Sequence, residues 1–152
     1  MHRLDERIGQ YDRHLAQIAR QDSRAAQLKR LTGIGDTTAT AILAIVGNGA
    51  EFNNARQFVA WLGLVPAQYS SGGKARLGHI TKAGDPYLRS LLMMGARSAL
   101  LSAKRKTDSV SRWAVQLEAR RGYWRAVTAL AAKNARMLWA VLRLGESFVV
   151  PR

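Results

Sequence analysis

Glycine and proline divide this chain into helical stretches on either side of one segment that no helix can cross. Gly63, Pro66, Gly72, Gly73, Gly78, Gly84 and Pro86 fall within two dozen residues, and breakers at that density impose turns or extended backbone. Beyond them, apolar residues recur three or four apart, the spacing of a helix face. That spacing predicts helices over 54–62, over 85–103 with Asp85 as cap and Pro86 in the first turn, over 109–121, and over 124–144 beyond Gly122. Leu88, Leu91, Leu92, Gly95, Ala96 and Ala99 make a core stripe on the second of these helices, with Arg89 and Arg97 off it. Val127, Leu130, Ala131, Leu138, Val141 and Leu142 do the same on the last, so Met137 and Trp139 are expected to pack rather than contact a cofactor. From Pro66 to Gly84 the chain should be irregular or form a brief hairpin.

The amino-terminal part carries a narrower stripe. Leu4, Ile8, Tyr11, Leu15, Ile18, Asp22 and Ala25 follow alternating steps of four and three, as in a coiled-coil seam, and predict one helix over 2–31 that needs a partner, favouring self-association or an antiparallel helical partner over simple packing on its own domain. Gly9 and Asp22 interrupt the seam. Next, Leu31-Thr32-Gly33-Ile34-Gly35-Asp36 leads into a second helix and resembles a helix-hairpin-helix, whose hairpin amides hold a DNA phosphate. Gly33, Gly35 and Ala39 let two helices close, which also suits a purely structural pair, and Asp36 opposes phosphate at the tip. The expected fold is all-α: a coiled-coil-like arm, residues 1–31, then a compact helical domain, residues 32–152, with the helix-hairpin-helix and an exposed basic Ser-Gly-Gly loop.

A formal charge of +14, from 24 Lys and Arg against 10 Asp and Glu, favours a polyanionic partner, with nucleic acid the first choice. Residues 32–69 hold one cation and two acids, whereas residues 70–125 hold twelve cations and three acids. The excess thus begins at the loop Tyr69-Ser70-Ser71-Gly72-Gly73-Lys74. Its glycines admit close approach of amides to an anion, and Lys74, Arg76, Lys82 and Arg89 can neutralise phosphate, with Asp85 the nearby acid. Ser70 and Ser71 are the hydroxyl nucleophile candidates. A Walker-type nucleotide loop would need Ser or Thr after Lys74, and Ala75 stands there. A serine attacking a phosphodiester would keep the bond energy in a phosphoserine link, and it needs cations for the transition state and a base for its proton. The cations are visible, but the base is not.

Other chemistries find little support. Without cysteine there is no disulfide, thiolate zinc site or thiol catalysis. His2, His14 and His79 do not cluster, and the acids are scattered, four of them on the first predicted helix, so no metal site is expected from this chain alone. The aromatic residues suggest no base-stacking array. The start, Met1 to Glu6, lacks an apolar signal-like core and the run Ala41–Val46 is too short to cross a bilayer, so no membrane association and an intracellular location are expected.

Taken together, Leu31-x-Gly-Ile-Gly, Phe58-x-Ala60-Trp-Leu-Gly63-Leu-x-Pro66, Ser71-Gly-Gly-Lys74, Gly78-x-Ile80-x-Lys82-x-Gly84, Leu88-Arg89, Arg121-Gly122, Ala126-x-x-Ala129-x-Ala131 and Leu138-Trp139 resemble the carboxy-terminal transposase domain of the IS-110, IS-116 and IS-902 insertion-sequence family. The resemblance runs from about Leu31 to Leu144, and the preceding helix resembles the end of that family's coiled-coil arm. It implies a DNA recombinase of a mobile element in a prokaryotic cytoplasm, at the nucleoid, guided by a structured RNA from the element. Ser71 matches the family serine, with Ser70 second. Gly72, Gly73 and Lys74 would shape the loop, and charge suggests that Lys82 and Arg89 hold DNA phosphates. The family also has an amino-terminal domain resembling a Holliday-junction resolvase, with an Asp-Glu-Asp-Asp site for Mg2+. Nothing here corresponds to it, so this chain is expected to need that domain from elsewhere and to be a truncated, degraded or internally initiated form. The alternative is a non-catalytic nucleic-acid-binding or regulatory fragment.

Overall fold

The computed structural model describes residues 2–71 and 73–145, with backbone alone for 68–71 and 74–77. Seven helices and one two-stranded sheet follow in chain order among these residues: α1 (His2–Gln21), α2 (Ser23–Leu28), α3 (Asp36–Ile45), α4 (Ala55–Trp61), β1 (Pro66–Ser71), β2 (Lys74–Ile80), α5 (Pro86–Ala103), α6 (Ser109–Arg121) and α7 (Tyr123–Leu144). The body is helical, as the apolar spacing predicts, and the glycine-dense segment forms an antiparallel hairpin.

Side-chain caps set four of the seven described helix starts. Asn54 accepts from the Gln57 amide at 2.9 Å, and Asp85 accepts from Tyr87 and Leu88 at 2.8 and 3.0 Å with Pro86 in the first turn. Asp108 accepts from Ser111 at 3.0 Å. Each bond satisfies an amide that the first helical turn leaves unpaired. The Asp108 carboxyl is held below its ordinary range, first by the Ser111 backbone amide.

One boundary corrects the sequence reading: the helix expected over 2–31 is two helices. Asp22 adopts extended backbone and accepts from the Arg24 amide at 2.9 Å, ending α1 and starting α2. Its carboxylate also pairs with the Arg24 guanidinium at 2.9 Å, the main reason its pKa is lowered. A residue that breaks an apolar seam was suited to cap the next helix.

Helix α7 is the centre of the packing, lying against α2, α4, α5 and α6. It buries Val127, Leu130, Leu138 and Val141 among alanines that allow close approach, against Leu88, Leu92 and Leu100 of α5 and Phe58 and Leu62 at the end of α4. Met137 and Trp139 pack against this core, as expected, and the Trp139 indole donates to the Gly49 carbonyl at 3.2 Å. Ala25, Leu28 and Leu31 are fully covered, so α2 belongs to the same core. In α1, by contrast, Ala19 alone is buried, while Leu4, Ile8 and Tyr11 are 68, 51 and 63% exposed. The Gly33 turn presses on α5: a Cβ there would lie 2.6 Å from the Gly95 carbonyl oxygen, at a φ of 94°. Asn134 of α7 is buried and donates to the Thr32 carbonyl at 3.1 Å, fixing the same turn.

Candidate nucleic-acid interface

The β1–β2 register pairs Pro66 with Ile80, Gln68 with Leu77, Tyr69 with Arg76, Ser70 with Ala75 and Ser71 with Lys74. The predicted serine loop is therefore the tip of a hairpin, and its connection is Gly72-Gly73. Gly73 has φ 77° and nothing within 4 Å of a Cβ position, which suits a tight two-residue link. Gly72 lies outside the described residues, as do the side chains of Ser70, Ser71, Lys74 and Arg76. Between Pro66 and Gln68 the register shifts, so Ala67 faces two residues of β2 and the hairpin bends there. His79 is exposed on β2.

The base of this hairpin is locked to the helical body. The Lys82 amide donates to the Gly63 carbonyl at 3.1 Å and the Thr81 amide to the Val65 carbonyl at 2.9 Å. Backbone packs on backbone: a Cβ on Gly63 would lie 2.3 Å from the Ala83 carbonyl oxygen, and one on Gly84 would lie 1.7 Å from that of Trp61. Both glycines have positive φ. Arg89, half-buried in the first turns of α5, donates through one guanidinium nitrogen to the carbonyls of Leu62 at 3.3 Å and Ala83 at 3.2 Å. Arg89 thus fastens the strand exit to the end of α4, a position that charge alone did not disclose. Lys82 is exposed and has φ 55°, the one positive value on a non-glycine residue among those described.

The second candidate region, Gly33 to Asp36, divides in two. Gly33 is occupied by packing on Gly95. Gly35, extended at φ −100°, precedes α3 with nothing within 4 Å of a Cβ position, and no side chain caps the α3 amides. Asp36, in the first turn of α3, is ion-paired with Lys29 of the α2 end at 2.6 Å.

Sequence reasoning missed a third group. Gly122, at φ 92°, turns the chain from α6 into α7 and presents Tyr123 and Trp124 at the surface. Their rings meet edge-to-face at 5.1 Å, the Arg97 guanidinium lies 5.6 Å from the Trp124 ring centre, and Arg97 Nε donates to the Tyr123 hydroxyl at 3.3 Å. Arg97 is 26 residues away in sequence, so only its place off the α5 core stripe pointed outward.

Among the described residues no three His, Asp or Glu side chains come together as a metal site, and no helix is long and apolar enough to cross a membrane. The described residues therefore do not fit a Mg2+ centre of the kind that the family resemblance implies.

The sequence model of the IS116/IS110/IS902 transposase family matches residues 25–112. The chain belongs to this family. It is 47% identical over 139 residues to a Pseudomonas aeruginosa protein named "Probable family 20 transposase", covering 91% of this chain and 41% of the relative. It is 42% identical over 144 residues to the transposase of insertion sequence IS1111A from Coxiella burnetii, covering 95% and 40%. To the IS1328 transposase of Yersinia enterocolitica it is 36% identical over 146 residues, covering 95% and 43%. The chain therefore spans about two fifths of the length of these relatives. The family match takes in the Gly33 turn, the α4 clamp, the serine hairpin and α5, the parts that fold around one another here.

Proposed function

We propose that this chain is the serine half of a DNA transposase, with Ser71 attacking a phosphodiester of the element end. The observation that carries the reading is the mounting of the Ser-Ser-Gly-Gly hairpin. A serine at the tip of a free loop would lose orientational freedom at every turnover, whereas the Gly63, Gly84 and Arg89 clamp fixes the hairpin base relative to α4 and α5. The register favours Ser71 over Ser70, because Ser71 has Lys74 as its cross-strand partner and Ser70 has Ala75. Cross-strand partners are nearest neighbours in an antiparallel pair, and a cation there suits a phosphoryl transition state.

In this mechanism Gly72 and Gly73 give the DNA backbone close access to the tip, while Lys74, Arg76 and Lys82 neutralise phosphates. The Ser71 oxygen forms the new bond to phosphorus, the bridging ester oxygen leaves with its DNA strand, and the serine proton passes to a general base of the assembled site. Reversal by a second DNA end completes strand exchange. Arg89 holds the clamp through its two carbonyl bonds, leaving its other nitrogens for phosphate. Gly35 and the uncapped amides of α3 serve as a helix-hairpin-helix contact to the DNA backbone, with Gly33 as its packing hinge. Leu4, Ile8 and Tyr11 of α1 form a self-association seam, and an acidic Mg2+ domain and a structured guide RNA complete the assembly.

The test is a denaturing gel. Labelled element-end DNA is incubated with the element RNA, magnesium and a family partner bearing the acidic domain. A covalent protein–DNA band present with wild type and Ser70→Ala but absent with Ser71→Ala is the expected result. Equal bands in all three would mean that neither serine alone is the nucleophile, and none in any would point instead to a regulatory nucleic-acid-binding fragment.

A further inference from the structure

We infer that Tyr123, Trp124 and Arg97 form a stacking platform for an unpaired base of single-stranded DNA, separate from the serine hairpin. Trp124 is 63% exposed and Tyr123 38%, so two adjacent aromatic rings stand at the surface. The group is tied together by the edge-to-face contact, the Arg97 cation over the indole and the Arg97–Tyr123 hydrogen bond. A base would stack on rings already ordered, as in proteins that track single strands with aromatic side chains set in a basic surface.

The surroundings choose the partner. Arg120, Arg121 and Arg125, close to the platform along the chain, are exposed, and Glu118, on the wall of the adjoining cavity, pairs with Lys104 at 3.9 Å. Beside the rings an open cavity of about 400 Å³ has Met94 and Leu101 on its walls, 63 and 75% exposed. A second depression sharing Met94 and Ser98 continues along α5 to Gly35 and Thr37. Cations around aromatic and apolar surface suit a strand with outward bases and flanking phosphates. They do not suit a duplex, whose bases are stacked inside, nor a protein surface lacking acids. The choice of DNA rests on the transposase reading, since strand exchange separates strands at the element end.

Intrinsic fluorescence and anisotropy titrations of the full chain with a labelled dT15 oligonucleotide, a 15-base-pair duplex and rU15 test the inference. Trp61, Trp113 and Trp139 are half-buried, so quenching on binding reports chiefly on Trp124. Expected are quenching by dT15, loss of that quenching in Trp124→Ala, and dT15 affinity about tenfold lower in Trp124→Ala and Arg97→Gln, with duplex affinity within twofold of wild type. Both variants should keep the wild-type melting temperature, because both side chains are exposed. Unchanged dT15 binding, an equal loss on duplex, or tighter binding of rU15 than dT15 would overturn the inference. So would a change of oligomeric state in Trp124→Ala, which would mark a protein contact. The quenching is read without strand cleavage, whereas the nucleophile is read from the covalent band, so failure of the nucleophile assignment and failure of the platform are distinguishable.

Discussion

A methyl group added at Gly84 would sit 1.7 Å from the Trp61 carbonyl oxygen on a backbone already at φ 82°, whereas one added at Gly35 would meet nothing within 4 Å at φ −100°. Gly84→Ala should therefore cost about 2 kcal/mol or more in a denaturant titration, and Gly35→Ala should stay within about 0.5 kcal/mol. Gly35→Glu, placed where α3 leaves its amides uncapped, should fold normally and weaken duplex binding. Lys82 separates charge from conformation in another way. Its left-handed backbone costs a residue with a side chain about 1 kcal/mol, so Lys82→Gly should leave the melting temperature level or raise it while lowering DNA affinity several-fold. A fall in both would mean that the side chain holds the fold. Residue types in the sequence gave the charge of Lys82 and Arg89 but not their settings. The carbonyls that bind Arg89 belong to residues 27 and 6 positions away, and proximity of that kind is a product of the tertiary fold.

At the scale of elements, the starts of α4, α5 and α6 were legible because a side-chain cap is a local interaction, whereas the Asp22 boundary was not read. Asp85-Pro86 and Asp108 mark the starts of α5 and α6 in the chain itself. Asp22 shows the same rule overriding a longer-range pattern: the seam spacing continued through it, yet its carboxylate ended α1 and capped α2. Both Asp22 and Asp108 have carboxyl pKa values lowered on folding, so their stabilisation is complete above the ordinary value of 3.8 and is lost as pH falls through the lower folded value. Asp108→Asn should keep the cap but flatten part of the acid dependence of the melting temperature below about pH 4, whereas Asp108→Ala should cost about 1 kcal/mol at neutral pH. For α1, the exposed Leu4, Ile8 and Tyr11 give a further expectation. Changing all three to serine should shift sedimentation from oligomer to monomer with little loss of melting temperature, since none of them is buried in the described core.

For the whole molecule, the proposed function together with +14 charges predicts a steep electrolyte dependence of DNA binding. Contacts from four cations to phosphate imply a loss of affinity on the order of a hundredfold between 50 and 200 mM salt. The helical class, the core stripes of α5 and α7 and the family were readable from spacing and motif. The hairpin clamp and the Tyr123–Trp124–Arg97 group were not, because each joins segments that sequence order keeps apart. The central claim is the Ser71–DNA bond, and the most direct measurement is mass spectrometry of the tryptic peptide spanning residues 57–74, after reaction with element-end DNA and a partner carrying the acidic domain. Ser70 and Ser71 are the only serines in that peptide. A nucleotide adduct fragmenting to Ser71 is the predicted result, and an adduct on Ser70, on Tyr69 or on no residue of this peptide would contradict the account.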